Sequence, residues 1–224
     1  MNYKDKVLLV FGDSIMFGSG NYGKGVGEYL EERHGFKLRK YAVGGARVGF
    51  DEGKSWVVEQ VRDAIKNGER PDYIVFNGFT NDCNMTDGKH CDVRFGESRN
   101  EKIIEIMSIE KSASFTECFE SVCAAFETYF KGAKILFMRP HKMGRRDSYE
   151  QVRYGEWAVN TCKSFGFGVA DIYEKGELDT FDADMRDKYT FDSYDWGRGD
   201  ATHPNDKGYE KFYLPVIEEE LEKL

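Results

Sequence analysis

Three residues of this chain have the types and spacing for nucleophilic attack coupled to proton transfer. Ser14 stands three residues past the apolar run Val7–Phe11, in Phe11-Gly12-Asp13-Ser14. Asp200 stands three residues before His203, in Asp200-Ala201-Thr202-His203-Pro204. A serine hydroxyl is a poor nucleophile until a base takes its proton, and the base needs a third group to fix its tautomer. An acid and a histidine three apart can share one side of a turn. Asp200 would then accept from His203 Nδ1–H, leaving Nε2 to face Ser14. Each segment also has an ordinary reading. Asp13-Ser14 suits a helix cap after a strand, and Asp200 and His203 suit a surface turn.

Two further segments carry groups that can bind negative charge. Gly44 and Gly45, in Tyr41-Ala42-Val43-Gly44-Gly45-Ala46-Arg47, let backbone N–H groups approach a ligand, or simply make a tight turn. The Asn81 amide, in Asn77-Gly78-Phe79-Thr80-Asn81-Asp82, can donate to an oxyanion, or belongs to an Asn-Asp turn. Ser14, placed at a helix N-terminus, would add a free backbone N–H of its own.

The elements that must bring these residues together are legible as alternating apolar runs and helical periods. Strands are expected over 7–11, 37–41, 73–77, 134–138 and 168–172. Helices are expected over 26–34, 56–66, 114–130, 148–165 and 207–224, with a short one at 103–109. Ser114 and Glu117 form a capping box, Gly35 closes the first long helix, and Pro215 must interrupt or kink the last. Residues 82–100 and 173–199 lack a sustained period and read as loop insertions. Five strands alternating with helices imply an α/β fold, a three-layer α/β/α sandwich on a five-stranded parallel sheet. One domain over residues 1–224 is expected. In such sheets a site lies beyond the carboxyl ends of the strands, where Ser14, residues 42–50, Asn81 and residues 139–146 all fall.

Bulk properties narrow the partners. With 224 residues, 40% apolar, 15% aromatic and a net charge of −8, the chain can build a core but has no basic footprint for nucleic acid or anionic membranes. No apolar run approaches the ~20 residues of a membrane span, and no signal peptide is evident, so a cytoplasmic location is expected. The cysteines are 83, 91, 118, 123 and 162, an odd and irregular set that is no disulfide framework. Cys118, Cys123 and Cys162 fall in helical patterns and read as core. Cys83, His90 and Cys91 share a loop but lack further ligands for zinc, so no metal site is assigned.

Taken together, the four segments resemble the conserved blocks of the SGNH hydrolase (GDSL esterase/lipase) family, in order and across the whole chain. Gly12-Asp13-Ser14 is similar to the first block, Gly45 (with Gly44 its neighbour) to the second, Asn81-Asp82 to the third and Asp200-x-x-His203-Pro204 to the fifth. The resemblance implies a flavodoxin-like fold. It implies Ser14 as nucleophile, His203 as general base and acid, and Asp200 as orienting carboxylate. The oxyanion hole would be the N–H groups of Ser14 and Gly45 with the Asn81 side chain. One position departs: the third block has glycine two residues before its asparagine, where this chain has Phe79. The implied reaction is hydrolysis of a carboxylic ester through an acyl-enzyme, with no metal or organic cofactor. The expected substrate is a small-molecule or glycan ester. A small acyl group such as acetyl on a polar or carbohydrate alcohol is one reading, since no amphipathic lid is evident. Arg139-Pro140-His141, Arg145-Arg146 and the run 194–198 are candidate rim residues for a sugar.

Two other readings remain. Gly18, Gly20 and Gly23 match GxGxxG, and Gly18, Gly23 and Lys24 match the start of a phosphate-binding P-loop. Gly25, however, stands where that loop needs Ser or Thr, and six residues separate the motif from the first strand. A non-catalytic glycan-binding module on the same fold is the second alternative. The Gly-x-Ser-x-Gly elbow is absent, because Met16 replaces its second glycine.

Overall fold

The computed structural model describes residues 3–96, 102–193 and 198–224. Five strands form one sheet: β1 Val7–Phe11, β2 Lys37–Lys40, β3 Tyr73–Phe76, β4 Lys134–Arg139 and β5 Gly168–Asp171. All neighbours pair in parallel, in the order β2-β1-β3-β4-β5. The sequence explains which strands are central. β1 and β3 are continuous apolar runs, buried on both faces, as strands covered by helices on both sides must be. β2 reads Lys-Leu-Arg-Lys with alternating exposure, and its charges suit an edge.

Helices α1 Ser14–Phe17, α2 Val26–His34, α3 Val57–Lys66, α4 Phe115–Tyr129 and α5 Ser148–Ser164 follow the strands as expected. α3 packs on α4 and α4 on α5, forming one covering layer. On the other face α2 meets the last helix, where Arg33 and His34 both contact Glu218. This is the doubly wound α/β/α sandwich with flavodoxin-like strand order. Its direction of winding reverses between β1 and β3, so a crevice is expected at their carboxyl ends. The core is aromatic there: Phe11 and Phe76 each contact Phe126, and Phe76 also meets Phe119 and Phe137.

Three stretches differ from expectation. Residues 103–109 hold only a 3-10 turn, Ile106–Ser108. Residues 173–199 are not all loop. They contain α7 Ala183–Tyr189, capped by Asp182, and β6 Thr190–Ser193, which pairs antiparallel with β7 Arg198–Pro204. α6 Ile172–Lys175 precedes them. A seven-residue helix and a four-residue strand are too short for their period to stand out. The C-terminal helix is in three pieces: α8 Asp206–Gly208, a π turn over Tyr209–Tyr213 and α9 Leu214–Lys223. Pro215 has no N–H, so it tolerates only the first turn of a helix, and the wide turn before it restarts the ladder. Among the described residues no helix is long and apolar enough to cross a membrane.

Candidate active site

Ser14 is delivered by the centre of the sheet. Its approach is gripped by two amide side chains in reciprocal pairs. Gln60 of α3 accepts from Gly12 N at 2.8 Å and donates to Gly12 O at 2.9 Å. Asn77, just past β3, accepts from Asp13 N and donates to Asp13 Oδ1, both at 3.0 Å. Asp13 Oδ1 also accepts from Ile15 N at 2.9 Å and so caps α1. Glycine is required at position 12: its φ is +132°, and a Cβ would lie 1.9 Å from Asn77 Oδ1. Ser14 is thereby the first residue of α1, only 5% exposed, and its N–H has no acceptor among the described residues.

Asp200 and His203 come from β7, not from a turn at the mouth of the last helix. In a regular strand, residues three apart face opposite sides. Here Ala201 has φ +60°, which breaks the alternation. Asp200 Oδ1 accepts from Thr202 N at 3.0 Å and His203 N at 2.9 Å, holding the local fold of the chain. Asp200 Oδ2 then meets His203 Nδ1 at 2.5 Å, and His203 Nε2 meets Ser14 Oγ at 2.8 Å. The three side chains make one continuous hydrogen-bonded line. Burial would raise Asp200, but bonds from the His203 ring and the two backbone N–H groups outweigh it and hold the carboxyl below its usual range. The carboxylate therefore stays charged beside the ring.

The 42–50 segment lies against this line. Val43 N donates to Gly12 O at 3.1 Å. Gly45 has φ +77°, open space where a Cβ would be, and an N–H without an acceptor among the described residues; Gly44 lies beside Ser19 Oγ. Asn81 Nδ2 donates to Ala46 O at 2.9 Å, tying its loop to this one and leaving its second proton for a ligand.

Four residues hold this framework in roles the sequence did not assign them, although Asp82 falls in the third block and Arg146 was expected at the rim. Asp82 is buried and accepts from Val48 N and Gly49 N, fastening the glycine loop. Burial pushes its carboxyl up to about 7, although those backbone bonds oppose the rise. Arg146, 8% exposed, donates to Asn81 Oδ1 at 3.0 Å and to Thr80 O at 2.6 Å. That contact selects the amide orientation with Nδ2 toward Ala46. Gln60 and Asn77 are the others. Gln60 left a signal, since it sits within the apolar stripe Val57, Val58, Val61 of α3.

Phe79 has a clear structural consequence. It is buried, with φ +106°, a backbone that glycine adopts freely and phenylalanine does not. A large side chain therefore sits at a position whose backbone suits glycine.

Other expected rim residues lie elsewhere. Arg139 is buried, pairs with Asp171 at 3.3 Å and stacks on Tyr173. His141 is buried, with Nδ1 2.5 Å from Tyr213 Oη. Burial pulls it down to about 3, against the pull of Asp200, so it stays neutral near His203. Of the run 194–198, residues 194–197 lie outside the described residues, as do 97–101 of the first insertion. The 18–25 loop is not arranged for phosphate. Lys24 pairs with Glu32 at 2.7 Å, and Gly18 packs on the backbone of Lys24 and Gly25. Cys118, Cys123 and Cys162 are buried. Among the described residues no group of three His, Cys, Asp or Glu side chains could hold a metal, and Cys83, His90 and Cys91 border a small cavity instead. A larger cleft of about 770 Å³ opens between Tyr41, Phe50, Trp56 and Ile109, and neither Ser14, Asp200 nor His203 lines it.

Comparison with known proteins gives the family and the fold. The model of the GDSL-like lipase/acylhydrolase family matches residues 10–211. No curated protein matches the chain significantly. Solved structures share its fold at low identity. A Lactobacillus plantarum protein is 15% identical with TM-score 0.68, covering 98% of this chain and 96% of its own. A lipase/acylhydrolase from Enterococcus faecalis is 14% identical with TM-score 0.56, covering 97% and 96%. The psychrotrophic esterase EstA from a Pseudoalteromonas species is 12% identical with TM-score 0.60, covering 98% of each.

Proposed function

Because the chain belongs to the GDSL-like lipase/acylhydrolase family, we propose that it hydrolyses a carboxylic ester through an acyl-enzyme on Ser14. The observation that carries this reading is the unbroken line from Asp200 Oδ2 through both nitrogens of His203 to Ser14 Oγ. Ser14 Oγ attacks the ester carbonyl carbon while His203 Nε2 takes the hydroxyl proton. The imidazolium that forms is stabilised by the Asp200 carboxylate. The carbonyl oxygen becomes an oxyanion and is met by the N–H groups of Ser14 and Gly45 and by Asn81 Nδ2. The tetrahedral intermediate collapses, the C–O bond to the alcohol breaks, and His203 returns the proton to the leaving oxygen. Water then attacks the acyl-serine with His203 again as base. The acid is released and Ser14 regains its proton.

For the substrate, the reading is a small acyl group, acetyl above all, on a polar or carbohydrate alcohol. The tight seat of Ser14, 5% exposed, supports a small acyl group. A chain-length series of aryl esters tests both parts. Acetyl esters are expected to be cleaved fastest, and turnover is expected to fall on the order of 10³-fold or more in Ser14→Ala. Long-chain esters cleaved far faster than acetyl esters would overturn the acyl assignment. Turnover surviving Ser14→Ala would overturn the nucleophile.

A further inference from the structure

Asn81 has a second neighbour. On the Arg146 side of its amide lies a cavity of about 210 Å³, lined by Arg47, Asn81, Lys89, His90 and Arg146 among others, and by no carboxylate. This lining is unusual in a chain whose net charge is −8. Each cation has a different tie. The buried Arg146 forms the inner wall and is held by Thr80 O and Asn81 Oδ1. Arg47 contacts Asp51 and Cys91 Sγ through one terminal nitrogen, and its buried Nε–H has no acceptor among the described residues. Lys89, 73% exposed, stands at the mouth, with Asp87 3.2 Å away on the outside. Asp51 and Asp87 offset part of the charge, but neither faces the cavity. Guanidinium groups bind carboxylate and phosphate in fixed geometry, and one close to a low-dielectric wall acts more strongly than an exposed one.

From this we infer that the cavity is an anion subsite, and that the alcohol portion of the substrate carries a carboxylate or phosphate. The inference rests on the ester-hydrolase reading above. Asn81 is the residue the two places share: its Nδ2 would meet the reacting carbonyl and its side chain lines the cavity, which Ser14, Asp200 and His203 do not line. A substrate would therefore have to reach past Asn81 to place a charge there. A small acyl group such as acetyl has no charge to place there, so the charge belongs to the alcohol. Lys89 and Arg47 would be the discriminating residues, and Arg146 would both orient Asn81 and close the subsite.

The test compares 3-acetoxybenzoate with 3-methylphenyl acetate, which differ by a carboxylate in place of a methyl group. The wild type is expected to favour the charged ester about 10-fold in kcat/KM, mostly through KM, as one charge-assisted contact would give. The preference should vanish in Lys89→Ala, whose side chain is too exposed to support the fold, and in Arg47→Gln. It should also shrink at an ionic strength of about 1 M. Lys89→Ala should leave the neutral ester unchanged. Equal rates for both esters in the wild type, or a preference that survives both substitutions, would overturn the subsite while the esterase reading stands. If neither ester were cleaved, the esterase reading would fall, and calorimetric binding of 3-hydroxybenzoate would decide the subsite alone. Binding weakened about 10-fold in Lys89→Ala supports it, and absence of binding overturns it.

Discussion

Ser14 is presented from the middle of the five-stranded sheet, whereas Asp200 and His203 are carried by a two-stranded ribbon outside it. The two sides are stiffened in different ways. On the sheet side, two amide side chains clamp the backbone of Gly12 and Asp13 in reciprocal pairs. The structure there would hold with or without the Ser14 hydroxyl. On the ribbon side, the reacting group holds its own support, because Asp200 uses one oxygen on the backbone of residues 202 and 203 and the other on the His203 ring. The ribbon is further fastened by Thr180, whose hydroxyl donates to Ala201 O at 2.9 Å, and by Thr190, which accepts from Ala201 N at 3.3 Å. Damage to the sheet side should therefore appear first as lost stability, and damage to the ribbon side as lost turnover in a folded protein.

The largest effect expected is on the ribbon. Asp200→Asn preserves shape and can keep Oδ1 as an acceptor for the backbone, but its amide nitrogen cannot accept from His203 Nδ1–H. Turnover is expected to fall on the order of 10³–10⁴-fold, with the urea midpoint nearly unchanged. A fall in stability matching the fall in rate would erase the distinction between the two sides. Next comes the sheet. Gly12→Ala combines a φ of +132° with a Cβ 1.9 Å from Asn77 Oδ1. It should cost about 3 kcal/mol or more in denaturant unfolding. An alanine variant as stable as the wild type would show that the clamp is not tight. The smallest effect is Ala201→Gly. Relief of the left-handed φ should exceed the added entropy of the unfolded chain, for a net gain of about 0.5–1 kcal/mol. Turnover should change less than about twofold, since Asp200 still fastens the turn. A loss of stability would mean that Ala201 does not need that conformation.

The same contrast explains what could be read from the residues. The sheet and its long helices are legible because buried parallel strands are plain apolar runs and α2 to α5 are long enough to show period and caps. Ser14, Gly45, Asn81, Asp200 and His203 were placed by motif resemblance, and the structure brings Ser14, Asp200 and His203 into one hydrogen-bonded line and ties Asn81 to the glycine loop. The ribbon was not legible. β6 has four residues, and β7 reads Arg-Gly-Asp-Ala-Thr-His-Pro, rich in turn-formers and broken by the left-handed Ala201. Arg146, read as a rim residue, and Asp82, read as part of the third block, did not show their bracing roles, because their partners are backbone groups and side chains distant in sequence. Phe79 was visible as a departure from the motif, but only the structure shows that it holds a φ suited to glycine.

The central claim is that Ser14 carries the acyl group, and trapping it is the most direct measurement. The wild type, mixed with 4-nitrophenyl acetate and quenched in acid, would be digested and its peptides weighed. The account predicts an acetyl group on the peptide containing Ser14, absent from Ser14→Ala. It also predicts much slower formation of that adduct in His203→Ala. Acetylation confined to another residue, or steady hydrolysis by Ser14→Ala with no adduct at all, would contradict it.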